Sequence, residues 1–153
     1  MVSTRDREVL FDRLDDALRQ ADAPGQDLFA RIVTSACTRI PLMSGTVERI
    51  DRLIAAGAWT DAALALVGQE LPAWMVRRLA YDGGEWVCSL SQHPNLPEGL
   101  DDPADGSHAL MPLAILRAFL QARRTTHVSS QVPSRVPQIA PASGTAICCE
   151  NFA

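Results

Sequence analysis

A polar stretch in the second half of the chain holds most of the residues that could bind a metal ion or transfer a proton. It lies between the predicted strands and the last helix, and its Asp, His and Cys side chains are common metal ligands, acids and bases. Zinc ligands usually include closely spaced pairs such as CxxC or HxxxH, and this stretch contains no such pair. Its candidate residues are Cys88, His93, Asp101, Asp102, Asp105 and His108.

The same stretch partly matches a calcium-binding loop. Asp101, Asp105 and Gly106 occupy the first, fifth and sixth positions of an EF-hand pattern. The third position is Pro103 and the twelfth is Pro112, where the pattern requires a bidentate glutamate. The sequence therefore excludes an EF-hand calcium site.

His108 follows Ser107 directly before a predicted helix. A helix N-terminus disfavours positive charge, so a neutral imidazole there would suit a general base. The Gly-x-Ser-x-Gly pattern of a nucleophilic serine is absent, and the sequence favours a capping role for His108. Gly83 and Gly84 lie in a predicted hairpin turn and open no helix, which argues against a phosphate-binding loop.

The charged residues exclude further classes of protein. All 14 basic residues are arginines, which removes a P-loop lysine and Schiff-base chemistry. With 18 acidic residues the net charge is −4 and there is no basic run, so nucleic-acid binding is not expected. The arginine pairs at 77–78 and 123–124 are expected to face solvent or acidic neighbours.

No apolar run reaches the ~18 residues that a membrane span requires, and the N-terminus alternates charges where a signal peptide is apolar. We therefore expect a cytoplasmic protein without membrane contacts or cofactors. In a reducing compartment Cys37 and Cys88, on apolar faces of predicted elements, are expected to be core residues. The adjacent Cys148 and Cys149 match no zinc pattern and are interpreted as incidental thiols, with metal capture or crosslinking as the alternative.

The first 72 residues have the periodicity of four helices. Apolar residues at helical spacing predict a helix over 4–21, with Ser3 and Asp6 as a variant capping box, and a second over 27–40 that Pro41 ends. Thr46 is the expected N-cap of a third helix ending at Gly57, and Thr60 that of a fourth, 61–70, ending at Pro72. These helices are expected to form two hairpins.

The stretch Gly57-Ala58-Trp59-Thr60-Asp61-Ala62, followed by an apolar helix and Pro72, resembles the turn and second helix of a tetratricopeptide repeat. In that family the glycine permits the tight turn, the aromatic packs between helices and the small alanine allows close helix approach. The resemblance implies a helical hairpin over 57–72 and, more distantly, a peptide-binding groove.

Beyond Pro72 the pattern changes to a β-hairpin. Asp82-Gly83-Gly84 supplies the positive φ angles of a tight turn between two runs rich in strand-forming residues. Alternation predicts that Arg77 falls on the buried side, where it would lie at the sheet margin, stack on an aromatic ring or meet a carboxylate. The buried face is predicted to carry Leu79, Tyr81, Trp86, Cys88 and Leu90, with Arg78, Ala80, Val87 and Ser89 opposite.

Residues 92–106 have the composition of a loop, and residues 110–122 are apolar on almost every side. This last helix must be covered by the hairpin and the N-terminal helices, or by a second copy of the chain. Residues 125–153 form a predicted flexible tail rich in Pro, Ser and Thr, in which Thr126 to Val132 could instead add an edge strand.

Several short stretches within 72–122 are similar to uncharacterised proteins from alphaproteobacteria. They are Leu90-Ser91, Asn95-Leu96-Pro97, Leu100-Asp101-Asp102, Ser107-His108 and Leu113-Ala114-Ile115-Leu116. That family has no assigned activity, so the resemblance implies a compact bacterial module and no mechanism.

The sequence thus predicts one α+β domain over 1–124, with a helical part (1–72), a hairpin and buried helix (73–124), and a tail (125–153). Because two strands alone are marginally stable, we expect a homodimer. The leading hypothesis is a non-enzymatic protein or peptide interaction module. The alternatives are a small metal-dependent or hydrolytic enzyme using His93, Asp101, Asp102 and His108, and a small-molecule sensor with a tryptophan-lined pocket. Candidate interaction residues are Trp59, Trp74, Arg77, Tyr81 and Trp86, with core anchoring as the alternative role of the aromatic ones.

Overall fold

The computed structural model describes residues 3–39 and 44–131, with side chains described for 3–39 and 45–126. Within these ranges the chain forms an α+β fold of five helices and one three-stranded antiparallel sheet, as predicted. Cys148 and Cys149 and most of the predicted tail lie outside the described residues. In chain order the elements are α1 (Thr4–Gln20), α2 (Gln26–Ala36), α3 (Ser44–Ala55), α4 (Trp59–Glu70), β1 (Met75–Asp82), β2 (Glu85–Ser91), β3 (Ala104–His108) and α5 (Met111–Gln131).

The first helical hairpin buries one face of each helix. α1 buries Phe11, Leu14 and Leu18, and α2 buries Phe29, Ile32 and Ala36. Two details of the prediction are wrong. The side chain of Ser3 forms no capping hydrogen bond, and α2 ends at Ala36, before the predicted end at residue 40.

The second hairpin has the predicted turn. Gly57 has φ +70°, and a Schellman pair of hydrogen bonds joins its N–H to the Ile54 carbonyl (3.0 Å) and the Ala58 N–H to the Leu53 carbonyl (2.9 Å). The predicted N-caps are wrong, because α3 already begins at Ser44 and α4 at Trp59. Thr46 and Thr60 therefore lie inside the first turns of these helices.

The β-hairpin is confirmed. Asp82 pairs with Glu85 across a two-residue turn in which Gly83 and Gly84 have φ +60° and +93°. This conformation is open to glycine and resisted by residues with a Cβ. A β-bulge between Val76 and Arg78 shifts the register at the start of β1, and the extra residue is Arg77.

The predicted buried face is only partly buried. Cys88 and Leu90 are fully buried, and Leu79 and Trp86 are half-buried. Tyr81 is 61% exposed, which corrects the prediction for this residue. The predicted alternation of side chains along the strands was correct. Burial also depends on how far α5 extends over the sheet, and the Tyr81 ring, beside the turn, lies beyond the part that is covered.

The third strand was not predicted, because Ala104–His108 lacks β-branched and aromatic residues and was interpreted as loop. The strand pairs antiparallel with β2, with Gly106 opposite Cys88. A Cβ on Gly106 would lie 2.5 Å from the Ala114 carbonyl oxygen and closer still to the Ala118 nitrogen, both backbone atoms of α5. Glycine therefore allows the helix to pack directly on the strand.

The last helix is longer than predicted and is covered within one chain. It packs against α1, α4, β2 and β3, and its buried apolar residues belong to the single core cluster. The Thr125 and Thr126 hydroxyls donate to the carbonyls of Gln121 and Ala122, and the helix continues to Gln131. The alternative edge strand over 126–132 is therefore wrong, and the predicted boundary after residue 124 falls inside a helix. None of the helices in the described part of the chain is both long and apolar enough to cross a bilayer.

Candidate functional site

The four residues of the enzyme hypothesis have separate surroundings. His93 and Asp102 are exposed, and the His93 main-chain N–H donates to the Ser91 hydroxyl (2.9 Å). His108 is buried, and its Nδ1 accepts a hydrogen bond from the main-chain N–H of Leu110 (2.9 Å), the residue directly before α5. Among the described side chains, no three His, Cys, Asp or Glu residues are grouped to hold a metal ion.

Asp101 has a different partner from the one the enzyme hypothesis required. Its carboxylate forms an ion pair with Arg77, whose guanidinium also donates to the Leu96 carbonyl (3.0 Å). The pKa of Asp101 lies below its ordinary value. The largest cause is a hydrogen bond from the Ser91 hydroxyl; the hydrogen bond and the charge of Arg77 lower the pKa further, while desolvation opposes them. Of the three positions considered for Arg77, the structure shows the contact with a carboxylate.

The aromatic candidate interaction residues make two ring contacts. In the described part of the chain Trp59 contacts Phe29, with ring centroids 5.6 Å apart, and Trp86 contacts Tyr81 at 5.4 Å. Trp74 is buried without an aromatic partner, and its indole N–H has no hydrogen-bond acceptor. The structure thus brings together Tyr81 with Trp86, and Arg77 with Asp101.

A buried polar cluster joins the ends of α2, α4 and the middle of α5. Glu70 accepts hydrogen bonds from the main-chain N–H groups of Thr38 (2.6 Å) and Arg39 (2.9 Å), and Arg123 lies 3.4 Å from the same carboxylate. Arg123 also donates from Nε to the Ala36 carbonyl (2.9 Å). Burial, followed by the charge of Glu70, raises the pKa of the adjacent Cys37 thiol to about 12. The carboxylate, the guanidinium and the main-chain groups named here all have partners within the fold, so the cluster is structural.

A polar cleft of about 490 Å³ is lined by residues of α1, α5 and β3. Arg117 donates from Nε to Asp15 (2.9 Å) and from Nη1 to the Ser107 carbonyl, and Asp15 also pairs with Arg19 (3.0 Å). Burial opposes ionisation of Asp15, but the hydrogen bond and charge of Arg117, with the charges of Arg19 and Arg124, together keep the pKa of this carboxyl lowered. The cleft neutralises its own charges to a large extent, which disfavours it as a site for a charged ligand.

A second groove, of about 440 Å³, lies between α3 and α4. Ile50 is buried at its floor and Leu53, Leu64 and Ala65 are half-buried around it. Its remaining lining residues are Thr46, Arg49, Asp61, Gly68 and Gln69. Unlike the cleft beside α1, this groove combines an apolar floor with charged residues at its sides.

Gly68 lies within α4, and a Cβ added there would have no atom within 4 Å. Glycine in a helix interior lowers helix stability by about 1 kcal/mol relative to alanine. Because an added Cβ would touch nothing, packing within the described chain does not require glycine at this position. The glycine is visible in the sequence as an isolated interruption of a helical pattern, where it disfavours the helix relative to alanine. The sequence analysis did not single it out.

A smaller cavity of about 370 Å³ adjoins Trp59, Leu110 and Pro112. Trp59 is the one tryptophan among the residues lining this cavity, so it differs from the tryptophan-lined pocket that the sensor hypothesis requires. Comparisons with family models, curated proteins and solved structures found no match for the chain.

Proposed function

We propose that this protein is a non-enzymatic interaction module that binds an amphipathic helix of a partner protein in the groove between α3 and α4. The observation that carries the proposal is Gly68, which leaves open space over a helix that no described part of the chain fills. A partner backbone can approach most closely where a helix has no side chain.

The chemistry of the groove favours an amphipathic helix as its occupant. Leu53 and Leu64 offer an apolar contact for residues spaced by three or four positions on the partner. Arg49 and Asp61 are exposed, and neither forms an ion pair with another described residue. They can therefore select a partner that carries opposite charges beside its apolar stripe.

The resemblance of residues 57–72 to a tetratricopeptide hairpin supports this proposal, since that family is associated with peptide-binding grooves. The further resemblance to uncharacterised alphaproteobacterial proteins is retained as a proposed relationship that supplies no activity. A cytoplasmic location also remains part of the proposal, since the free thiols of Cys37 and Cys88 suit a reducing compartment.

The test is a selection from a displayed library of amphipathic helical peptides against the full chain, followed by titration of the selected peptides. Gly68→Gln places a side chain in the groove while increasing helix propensity, so the fold is not expected to suffer. Its binding should weaken about tenfold or more, which corresponds to ~1.4 kcal/mol. Ala30→Gln, at an exposed position within α2, is the matched control and should bind as the unmodified chain does.

Two results would contradict the proposal. One is a library that yields no binding peptide for the unmodified chain. The other is a set of selected peptides whose dissociation constants are the same for the unmodified chain and Gly68→Gln, since these peptides would bind elsewhere.

A further inference from the structure

The outer edge of β1 has no neighbouring strand in the described part of the chain. The sheet order is β1-β2-β3, so β1 is hydrogen-bonded to another strand on one side only. Asp82 and Glu85 flank a two-residue turn and form a hydrogen-bonded pair, after which such pairs alternate along the ladder. The N–H and C=O groups of Leu79 and Tyr81 are therefore directed away from β2, toward the free edge.

This edge also exposes apolar side chains. Tyr81 is 61% and Met75 is 59% exposed, and both belong to β1. Natural proteins usually protect an edge strand with charges, a bulge or a covering segment, because unpaired main-chain groups are a template for another strand. Here the bulge at Arg77 disrupts the start of the strand and leaves Arg78–Asp82 as a regular segment that can pair.

The sequence of this segment is complementary to itself in the antiparallel direction. If Ala80 lies opposite Ala80 of a second copy, Arg78 lies opposite Asp82 at both ends of the segment. Both residues are exposed, and neither has an ion-pair partner within the described residues. On the other face of the strand the same register places Leu79 opposite Tyr81, an aliphatic–aromatic pair of the kind that stabilises sheets.

We propose that two copies of this chain associate through their β1 strands, antiparallel and with Ala80 opposite Ala80, so that the two sheets become continuous. In this register each Leu79–Tyr81 pair exchanges both main-chain hydrogen bonds, because these are the residues whose polar groups point outward. The neighbouring registers, centred on Leu79 or Tyr81, place Arg78 or Asp82 opposite Ala80 and lose the charge pairing.

This association surface is separate from the groove between α3 and α4, so it goes beyond the proposed helix binding and does not depend on it. The sequence predicted a homodimer because two strands alone are marginally stable. The structure adds a third strand to the sheet and covers the last helix within one chain, so the present proposal depends instead on the free edge of β1.

A disulfide tests the register directly. At the centre of the proposed dimer Ala80 faces its own copy in a non-hydrogen-bonded pair, where Cα atoms are about 4.5 Å apart and a disulfide fits. In a Cys148→Ser/Cys149→Ser background, Ala80→Cys should crosslink into a species of twice 16.6 kDa under mild oxidation. Arg78→Cys is the control, because its two copies would be offset by four residues, roughly 13 Å, and should remain uncrosslinked.

Charge exchange provides the second test, with light scattering of the full chain as the readout. Arg78→Asp and Asp82→Arg each place like charges opposite one another at both ends of the segment, and each should weaken dimerisation about tenfold or more. The double variant Arg78→Asp/Asp82→Arg restores opposite charges and should restore the dimer. A loss of folding in the single variants would not produce this recovery.

Each other outcome overturns the proposal. An unmodified chain that remains at 16.6 kDa at all concentrations excludes the dimer. A dimer insensitive to both charge reversals, or crosslinked equally well through Arg78→Cys, uses another surface or register. A dimer lost when residues 132–153 are deleted, and unaffected by the β1 variants, assigns association to that segment.

Discussion

Glu70 and Arg123 are both almost fully buried, yet neither is isolated. The carboxylate binds two main-chain N–H groups that follow α2, and the guanidinium binds the last carbonyl of the same helix. The pair therefore explains why α2 ends at Ala36, since these contacts hold the chain in a non-helical conformation directly after it. A buried ion pair adds little net stability, but removal of one member leaves an uncompensated charge.

We expect Arg123→Met to lower the free energy of unfolding by about 3–5 kcal/mol, because Glu70 would remain buried without its cation. Urea denaturation measures this change. Arg124→Met is the matched control, since Arg124 is one-third exposed and pairs with Asp12. This substitution should lower the free energy of unfolding by about 1 kcal/mol or less. Equal losses in the two variants would show that the buried position of Arg123 has no special importance.

Asp101 is the second residue whose contacts organise the chain, because its pairing with Arg77 fastens the 92–103 loop to β1. Its pKa in the folded state lies below the ordinary value of 3.8, so ionised Asp101 stabilises the fold above that pH. This contribution is lost as the pH falls through the folded-state pKa.

Asp101→Asn should therefore be less stable than the unmodified chain at neutral pH, and the difference should shrink as the pH falls below 3.8. Urea denaturation over a series of pH values measures it. Asp102→Asn, at the exposed neighbouring position without an ion-pair partner among the described residues, is the control and should cost less stability than Asp101→Asn at neutral pH. If the difference in the free energy of unfolding between Asp101→Asn and the unmodified chain did not change with pH, the stabilising role of ionised Asp101 would be contradicted.

At the scale of the elements, the close contact between β3 and α5 places the last helix against the sheet. The strand offers Gly106 where the helix backbone approaches most closely, and the side chains of Ala114 and Ala118 are small. Short, polar strands of this kind are recognised poorly from sequence, because their stability comes from the partner strand and the covering helix.

Gly106→Ala should lower the free energy of unfolding by about 1–3 kcal/mol or more, because the new methyl group would overlap backbone atoms that cannot rotate away. Gly99→Ala makes the same change where no atom lies within 4 Å and should alter stability by about 0.5 kcal/mol or less. Thermal or urea unfolding of the two variants compares them. If the two substitutions changed the free energy of unfolding by similar amounts, α5 would be able to move away from β3 with little loss of stability.

At the scale of the whole molecule, α5 is the element around which the others assemble, since it contacts the first hairpin, the second hairpin and the sheet. Cys37 lies beside its Arg123, and Cys88 lies on the strand beneath it. Burial, with smaller contributions from Glu70 for Cys37 and Asp105 for Cys88, raises the pKa of each thiol to about 12.

Both thiols should therefore resist alkylation by iodoacetamide at mildly alkaline pH while the protein is folded, because the thiolate is the reactive form. Peptide mass mapping measures labelling at each site. If the core opens only as a unit, added urea should make both sites reactive together. Rapid labelling of either cysteine in the native protein would contradict this expectation and reveal a local opening at that site.

The sequence alone determined the features that depend on neighbouring residues. Periodicity located four N-terminal helices and the start of α5, Gly57 located a helix end, and Gly83-Gly84 located the hairpin turn. Each of these signals works over a few positions, because it reflects local backbone conformation and the alternation of side chains. The contact between Arg77 and a carboxylate was anticipated as one of three positions, but its partner was not identified.

Only the tertiary structure decided the rest. It paired Glu70 with Arg123, added β3 to the sheet, left Tyr81 exposed and opened the groove above Gly68. These features depend on which distant residues approach one another, and a side chain's type does not specify its partner across 50 residues of chain. For the same reason, the separation of His93, Asp102 and His108 became visible only once the loop, the strand and the helix had been placed together.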